Sequence, residues 1–347
     1  MAQHRALSFL AITLGLVGCP ADDEEDDTAA DSTDGSADDT GSGSMTVTET
    51  VTVTETDTMT SADTTGGDPI DPLTCPGAGG DGAVGDACTS NGDCQTGICT
   101  IFTDVPLNDD AVCGDPITTT AMGCNTRITA TVFDFATGMP VADATVKVAG
   151  AVSAVGNPTG AMALAEATSG ADGRIDVTTD MPVMQAIAII ALVESASGFL
   201  TATGLSAPIG DTMDYPVGNG IHDLWVVPTG PLGEWSTALE GDAAIPADQL
   251  PLGEQGGVIG LVRDATGAPV VGAVVAPVAG DSSAIVRYVN ADNTISADMT
   301  TETGIFIVIG ANQFGEDFEA TMDGASLATG TAGATDNAVF TLILNVD

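Results

Sequence analysis

Thr137-Gly138-Met139-Pro140-Val141-Ala142-Asp143-Ala144-Thr145-Val146 and Thr266-Gly267-Ala268-Pro269-Val270-Val271-Gly272-Ala273-Val274-Val275 are one pattern, Thr-Gly-x-Pro-Val-x-x-Ala-x-Val, written twice at a constant offset of 129. Self-similarity at a fixed distance marks two copies of one folding unit. Before each copy runs a strand-like stretch, Ile128 to Phe133 and Val258 to Arg263, followed by an Asp (Asp134, Asp264) where the chain should turn. Gly permits the positive φ of such a turn, and Pro fixes φ as the next strand begins without demanding a ladder donor. A hairpin is therefore expected in both copies.

Downstream, Ala142, Ala144, Val146 and Val148 alternate with Asp143, Thr145 and Lys147, the period of a strand with one face in a core and the other in water. Asp172-Gly173 and Thr303-Gly304 precede the alternating sets Ile175/Val177 and Ile305/Ile307/Ile309, and GFLTATG at 198–204 corresponds to GASLATG at 324–330. Apolar runs of this length punctuated by Gly, Pro and Asp predict an all-β chain with two antiparallel β-sandwiches, over residues 125–254 and 255–347.

The stretch GVIGLVRDATGAPVVGAVV, Gly257 to Val275, resembles the opening of the carboxypeptidase regulatory-like domain, a transthyretin-like or immunoglobulin-like β-sandwich. Ile128 to Val148 resembles it less closely, with one extra residue before the turn, and together the two matches cover roughly half the chain. The resemblance implies binding or spacer modules without catalytic residues of their own, and it leaves function to be argued from a site.

Charge separates a tail from this body. The chain holds 49 Asp and Glu against 6 Lys and Arg, a formal charge of -43, while 44% of it is hydrophobic. Residues 20–73 carry 16 acids and no base, 74–124 carry 7 and none, and 125–347 carry 26 against 5. A polyanion of this strength repels phosphate backbones, which excludes nucleic acid as a partner. The run Asp22-Asp23-Glu24-Glu25-Asp26-Asp27 and the Ser/Thr/Asp/Gly mixture after it offer too little apolar surface to offset chain entropy, so residues 19–73 are expected to be a disordered acidic linker. As a flexible coil it would span on the order of 40 Å. Its Thr-rich tract, Thr46 to Thr60, reads as a solvated spacer, with a glycosylated stalk as the alternative.

Residues 1–18 read as an export signal: a positive region ending at Arg5, an apolar run from Ala6 to Val17, and small Gly18. Leu16-Val17-Gly18-Cys19 resembles the lipobox of bacterial lipoproteins, which implies cleavage before Cys19 and lipidation of its thiol. Several acyl chains would hold the protein at a membrane, since each buried methylene contributes about 0.8 kcal/mol. An exported protein at the outer membrane or cell surface is the expected location.

Six cysteines remain: Cys75, Cys88, Cys94, Cys99, Cys113 and Cys124, all within residues 74–124. An even number in a short, Gly- and Asp-rich stretch of an exported chain predicts three disulfides in place of a core, with the pairing open. Without a Cys-x-x-Cys pair or a nearby His, a zinc site is set aside.

Between the repeats lie the ligand-contact candidates Tyr215, His222, Trp225 and Trp235. Leu232, Trp235 and Leu239 fall at i, i+3 and i+7 between Pro231 and Gly241, the pattern of one short amphipathic helix. Packing is the expected role of the aromatics; stacking of sugar rings on Trp225 and Trp235 is the alternative. After removal of the signal one histidine, His222, is left, too few for a two-His zinc peptidase, and no nucleophile elbow, Walker loop or dinucleotide fingerprint occurs. The single lysine, Lys147, falls on the predicted solvent face, which disfavours an internal isopeptide. The expected function is thus non-catalytic and free of cofactors: display of β-sandwiches for binding, adhesion or scaffolding of a glycan or protein. The rivals are a hydrolase using His222 or a carboxylate pair, and Ca²⁺-dependent adhesion through acidic loops such as Asn290 to Asp292.

Overall fold

The computed structural model describes residues 79–100, 102, 111–117, 119–120, 123–208 and 218–346, with the backbone alone at 119–120, 123 and 218–222. The expected signal, Cys19, the linker, Cys75 and Tyr215 lie outside them. The described chain opens with the cysteine module, where two short strands, β1 (Cys99–Thr100) and β2 (Val112–Cys113), pair antiparallel. Disulfides join Cys88 to Cys99 and Cys94 to Cys113, with Cα atoms 5.9 and 5.4 Å apart, and their sulfurs are most of this module's interior. A second small pair, β3 (Thr119–Thr120) with β4 (Gly123–Cys124), leads into the body, and Cys124 is disulfide-bonded to a partner outside the described residues. Arg127 fastens the module to the first repeat: its Nη2 donates to Thr100 Oγ1 at 2.6 Å and its Nε to Asp176 Oδ1 at 2.7 Å.

The first repeat comprises β5 (Arg127–Asp134), β6 (Thr145–Gly150), a short helix α1 (Ala151–Gly156), β7 (Ala163–Thr168), β8 (Arg174–Thr178), β9 (Ile189–Glu194), β10 (Gly198–Phe199), β11 (Thr201–Ser206) and β12 (Gly218–Pro228). Helix α2 (Thr229–Leu239) links it to β13 (Val258–Asp264), β14 (Val274–Pro277), β15 (Ile285–Val289), β16 (Ile295–Ser296), β17 (Ile305–Ile309), β18 (Glu316–Met322), β19 (Ala325–Ala332) and β20 (Val339–Val346). The fold is all-β, two β-sandwiches, and most ladders are antiparallel. Each sandwich also holds a parallel pair, β5 with β12 and β13 with β20.

The sandwiches are not separate beads. One sheet, in the order β16-β15-β17-β13-β20-β11-β9-β6-β7, runs through both, faced by β10-β12-β5-β8 on the first repeat and by β14-β18-β19 on the second. The seam is a short parallel pairing in which Thr201 and Ala202 of β11 meet Val339 and Phe340 of β20. Val339 N donates to Leu200 O at 2.9 Å, and the hydroxyls of Thr203 and Thr341 are 2.5 Å apart. Because the sheet is covered on both sides at the seam, β9 is buried on both faces. Ile189, Ala191 and Val193 enter the first sandwich's core, while Ile190 and Leu192 enter the second's beside Phe306, Phe318 and Phe340. Each of the Ile, Leu and Val side chains contributes about 1.5–3 kcal/mol of burial.

The two copies of the repeat fold alike down to single hydrogen bonds. Phe133 bridges Pro140 and Arg263 bridges Pro269, with Gly138 and Gly267 at φ +66° and +83°. Asp134 Oδ1 accepts from the amide of Thr137 at 2.9 Å and Asp264 Oδ1 from that of Thr266 at 2.8 Å, closing each turn. The longer first turn points Phe135 inward against Trp225, which is where the extra residue goes. Past the turn, Asp143 and Gly272 both take positive φ, so β6 begins at Thr145 and Ala142 stays exposed. A hydroxyl then clamps each segment: Ser169 Oγ accepts from Ala144 N and donates to Val141 O, and Thr300 Oγ1 does the same with Ala273 N and Val270 O.

One expected correspondence shifts by a residue. Aligning Gly173 with Gly304, each of whose missing Cβ would meet a carbonyl and a Pro ring, pairs Ile175 with Phe306 rather than Ile305. Phe306 and Val308 face the second sandwich's interior, whereas Ile307 and Ile309 lie on the opposite face with α2, Leu232, Trp235 and Leu239. Alternation alone misled because both faces are apolar and buried. Opposite Phe306 the ladder places Gly260, with no room for a Cβ beneath the ring, where the first copy pairs Ala130 with Ile175. Replacing the Thr300 hydroxyl by a methyl, in Thr300→Val, leaves a buried amide and a partly buried carbonyl without their partner; a loss of about 1–3 kcal/mol is expected from urea denaturation.

Candidate ligand-binding cleft

Of the residues singled out between the repeats, two are brought together, and in the interior. Trp225 is 5% exposed and Trp235 2%. Trp225 sits on β12 with Phe133 and Phe135 each 5.3 Å away between ring centroids. Trp235, on α2, donates from Nε1 to Asn293 Oδ1 at 3.2 Å. Both belong to the cluster that seats α2 on the second repeat's sheet. Neither indole offers a face to solvent, which corrects the sugar-stacking alternative: strand alternation turns Trp225 inward, and the helical stripe does the same for Trp235. The backbone of His222 pairs with Ala130 just after a bulge in β12, and its side chain lies outside the described residues.

Beside Trp225 a buried ion pair crosses from one repeat to the other. Arg263 on β13 contacts the carboxylate of Asp223 on β12, the two side chains being 10% and 7% exposed, and its Nε donates to Asn345 Oδ1 at 2.8 Å. The guanidinium lies 5.9 Å from the Trp225 ring. The other described arginines also meet aspartates: Arg127 with Asp176, Arg174 with Asp172, and Arg287 with Asp242 at 2.5 Å. The Arg287 hydrogen bond, helped by the Ala244 amide, holds the Asp242 carboxyl below the usual aspartate range. At the acidic loop after β15, Asp292 is lowered by the Thr294 hydroxyl and amide that cap it, at 2.6 and 3.1 Å. The polar groups of this loop close the turn and reach α2 through Asn293 and Glu234.

A cleft of about 510 Å³ opens where the repeats meet, on the side of the sheet that carries α1. Four separated segments wall it: the exit of α1, the connection that follows α2, the loop after β17 and the turn before β20. Its polar side chains are five carboxamides, Asn157, Gln249, Gln255, Gln313 and Asn337, two hydroxyls, Thr159 and Thr335, and one carboxylate, Asp336. The side chains of Gln249, Gln255, Gln313 and Asn337 make no hydrogen bond among the described residues. The walls themselves are pinned: Thr335 Oγ1 donates to Val155 O at 2.6 Å across the junction, and Asn157 Oδ1 accepts from Gly160 N at 3.2 Å.

Val155 and Gln313 also line an apolar groove that continues the cleft past Ile187 and Phe314. Phe314 is 73% exposed. It is held out by a tight turn in which Asn312 Oδ1 accepts from Phe314 N at 3.0 Å and Asn312 O accepts from Gly315 N at 3.0 Å. None of these residues was visible as a site in the sequence, because neutral amides on four distant loops carry no spacing.

No family model matches the chain, and no curated protein matches it. Among solved structures it is similar to the shaft pilin SpaA from Lactobacillus rhamnosus GG, at 12% identity over 64% of this chain and 98% of that one with a TM-score of 0.20. A streptococcal ancillary pilin (11% identity, 64% and 68% covered, TM-score 0.17) and the Bacillus anthracis TIE protein (10%, 64% and 34%, TM-score 0.16) are also similar. Likeness at this level carries no argument about activity, and no helix among the described residues is long and apolar enough to cross a membrane.

The ion pair between the repeats makes a direct prediction. Arg263→Met alone strands a buried carboxylate and should cost about 3–5 kcal/mol, whereas Arg263→Met with Asp223→Leu should recover most of that loss. Urea denaturation of the two variants and the parent measures both.

Proposed function

We propose that the chain is an exported, lipid-anchored, non-catalytic protein that displays a rigid pair of β-sandwiches for binding at a cell surface. The observation that carries the reading is the junction cleft: an open, pinned hollow lined mainly by neutral amides and hydroxyls, with one carboxylate, in a chain with 49 carboxylates. Amides of this kind bind and orient; they supply neither a nucleophile nor a proton at neutral pH. The Leu16-Val17-Gly18-Cys19 motif supports the anchor, and the acidic stretch at 20–73 supports a self-repelling tether that holds the body away from a lipid surface. The cysteine module, clasped to β5 through Arg127, serves in this reading as a stiff collar between tether and body.

The anchor is tested by detergent phase partitioning of the full chain expressed in a bacterial host that processes lipoproteins. The parent chain should enter the detergent phase, and Cys19→Ala should appear in the aqueous phase. A parent chain that stays aqueous, or a Cys19→Ala chain that still partitions with detergent, would contradict it.

A further inference from the structure

The geometry points to a neutral glycan as the occupant of the junction cleft, with Phe314 as the apolar platform and Gln249, Gln255, Gln313 and Asn337 as the hydroxyl-reading groups. This names a ligand class for the display reading above and rests on its binding role.

The argument begins with charge. A net charge of -43 repels anionic ligands, and no Lys or Arg lines the cleft to reverse that locally. A divalent cation of the calcium type gathers about 6–8 oxygens, with carboxylates prominent among them, and here Asp336 is the one carboxylate. The uncharged amides and hydroxyls that make up most of the polar lining are matched best by a neutral ligand. Each unpaired carboxamide offers two N–H donors and a carbonyl acceptor, and a sugar hydroxyl is both donor and acceptor, so each pairing can form in either direction. Four such groups around one hollow match a ligand dense in hydroxyls. The volume falls within the ~300–1,000 Å³ of small-ligand sites.

The second half of the match is apolar. A pyranose ring carries flat C–H faces beside its hydroxyls, and an aromatic ring is the surface that complements them. Phe314 meets that need, because the Asn312 turn holds the ring out in solvent while Gln313, its neighbour, belongs to both cleft and groove. A large apolar side chain left this exposed in a fixed turn is not required by packing. An extended peptide is the less suitable occupant. Peptides of that kind dock by adding to a strand edge, and every residue lining the cleft lies outside the strands. Both repeats contribute walls, Asn157 from the first and Gln313 and Asn337 from the second, so the site exists only in the fused pair.

The test is a titration of the full chain, purified in detergent, by isothermal calorimetry with a panel of probes: hexasaccharides of α-1,4-glucan, β-1,4-glucan, β-1,4-mannan and β-1,4-linked N-acetylglucosamine, the anionic hexamer of galacturonic acid, and a neutral Ala/Ser hexapeptide. The expected result is saturable binding of at least one neutral glycan and none of the galacturonate or peptide. Phe314→Ala and Gln313→Ala should each weaken that binding by about tenfold or more at an unchanged melting temperature. Both side chains are exposed, so folding is not at stake. No binding by any neutral glycan, binding that survives both substitutions, or preference for the galacturonate or peptide would each overturn the inference. Such a failure leaves the phase-partitioning outcome for Cys19→Ala untouched, so the two readings fall separately.

Discussion

Two residue pairs hold this architecture together. Thr201 and Ala202 lie parallel to Val339 and Phe340, and through them nine strands become one sheet. Without that seam β11 and β20 would each be an exposed sheet edge, an invitation to pair with other chains. With it, Ile190, Leu192 and Ala202 of the first repeat become part of the second repeat's core. The seam also fixes the distance between α1 and the turn before β20, so the Thr335–Val155 hydrogen bond can form and the cleft has a defined width. Fusion and cleft are thus consequences of the same pairing.

The charge pattern fits that division. All four described arginines are occupied by aspartates, one of them in the buried Arg263–Asp223 contact that bridges the repeats. Arginine charge is used inside or at joints, and the surplus of carboxylates is left for water. A surface of one sign keeps copies apart and narrows the ligands that can approach. The neutral amides at the junction stand apart from an otherwise anionic surface.

The repeat was legible because its turn makes stereochemical demands that few residues meet. Gly138 and Gly267 need positive φ, Pro140 and Pro269 bridge back to Phe133 and Arg263, and Asp134 and Asp264 cap the turn, so the pattern Asp, Thr-Gly-x-Pro survives in both copies. Helix α2 was legible through Leu232, Trp235 and Leu239, which it buries together. The seam was not, since pairing between strands 138 residues apart in sequence, Thr201 with Val339, leaves no local signature. Burial on both faces blurred the register of Ile305 to Ile309, and the clamp residues Ser169 and Thr300 passed unnoticed although each stands four residues before the turn glycine. The cleft was invisible for a different reason: Asn157, Gln249, Gln313 and Asn337 converge only after folding.

The most direct test of the shared sheet is native-state hydrogen exchange of the full chain in rising urea, followed by mass spectrometry on peptides from β9 and from β17. A continuous sheet predicts that amides of both strands exchange through one global opening, with the same free energy and the same dependence on urea. Two distinct openings, with one repeat exchanging freely while the other stays protected, would show that the repeats fold apart and that the seam does not bind them.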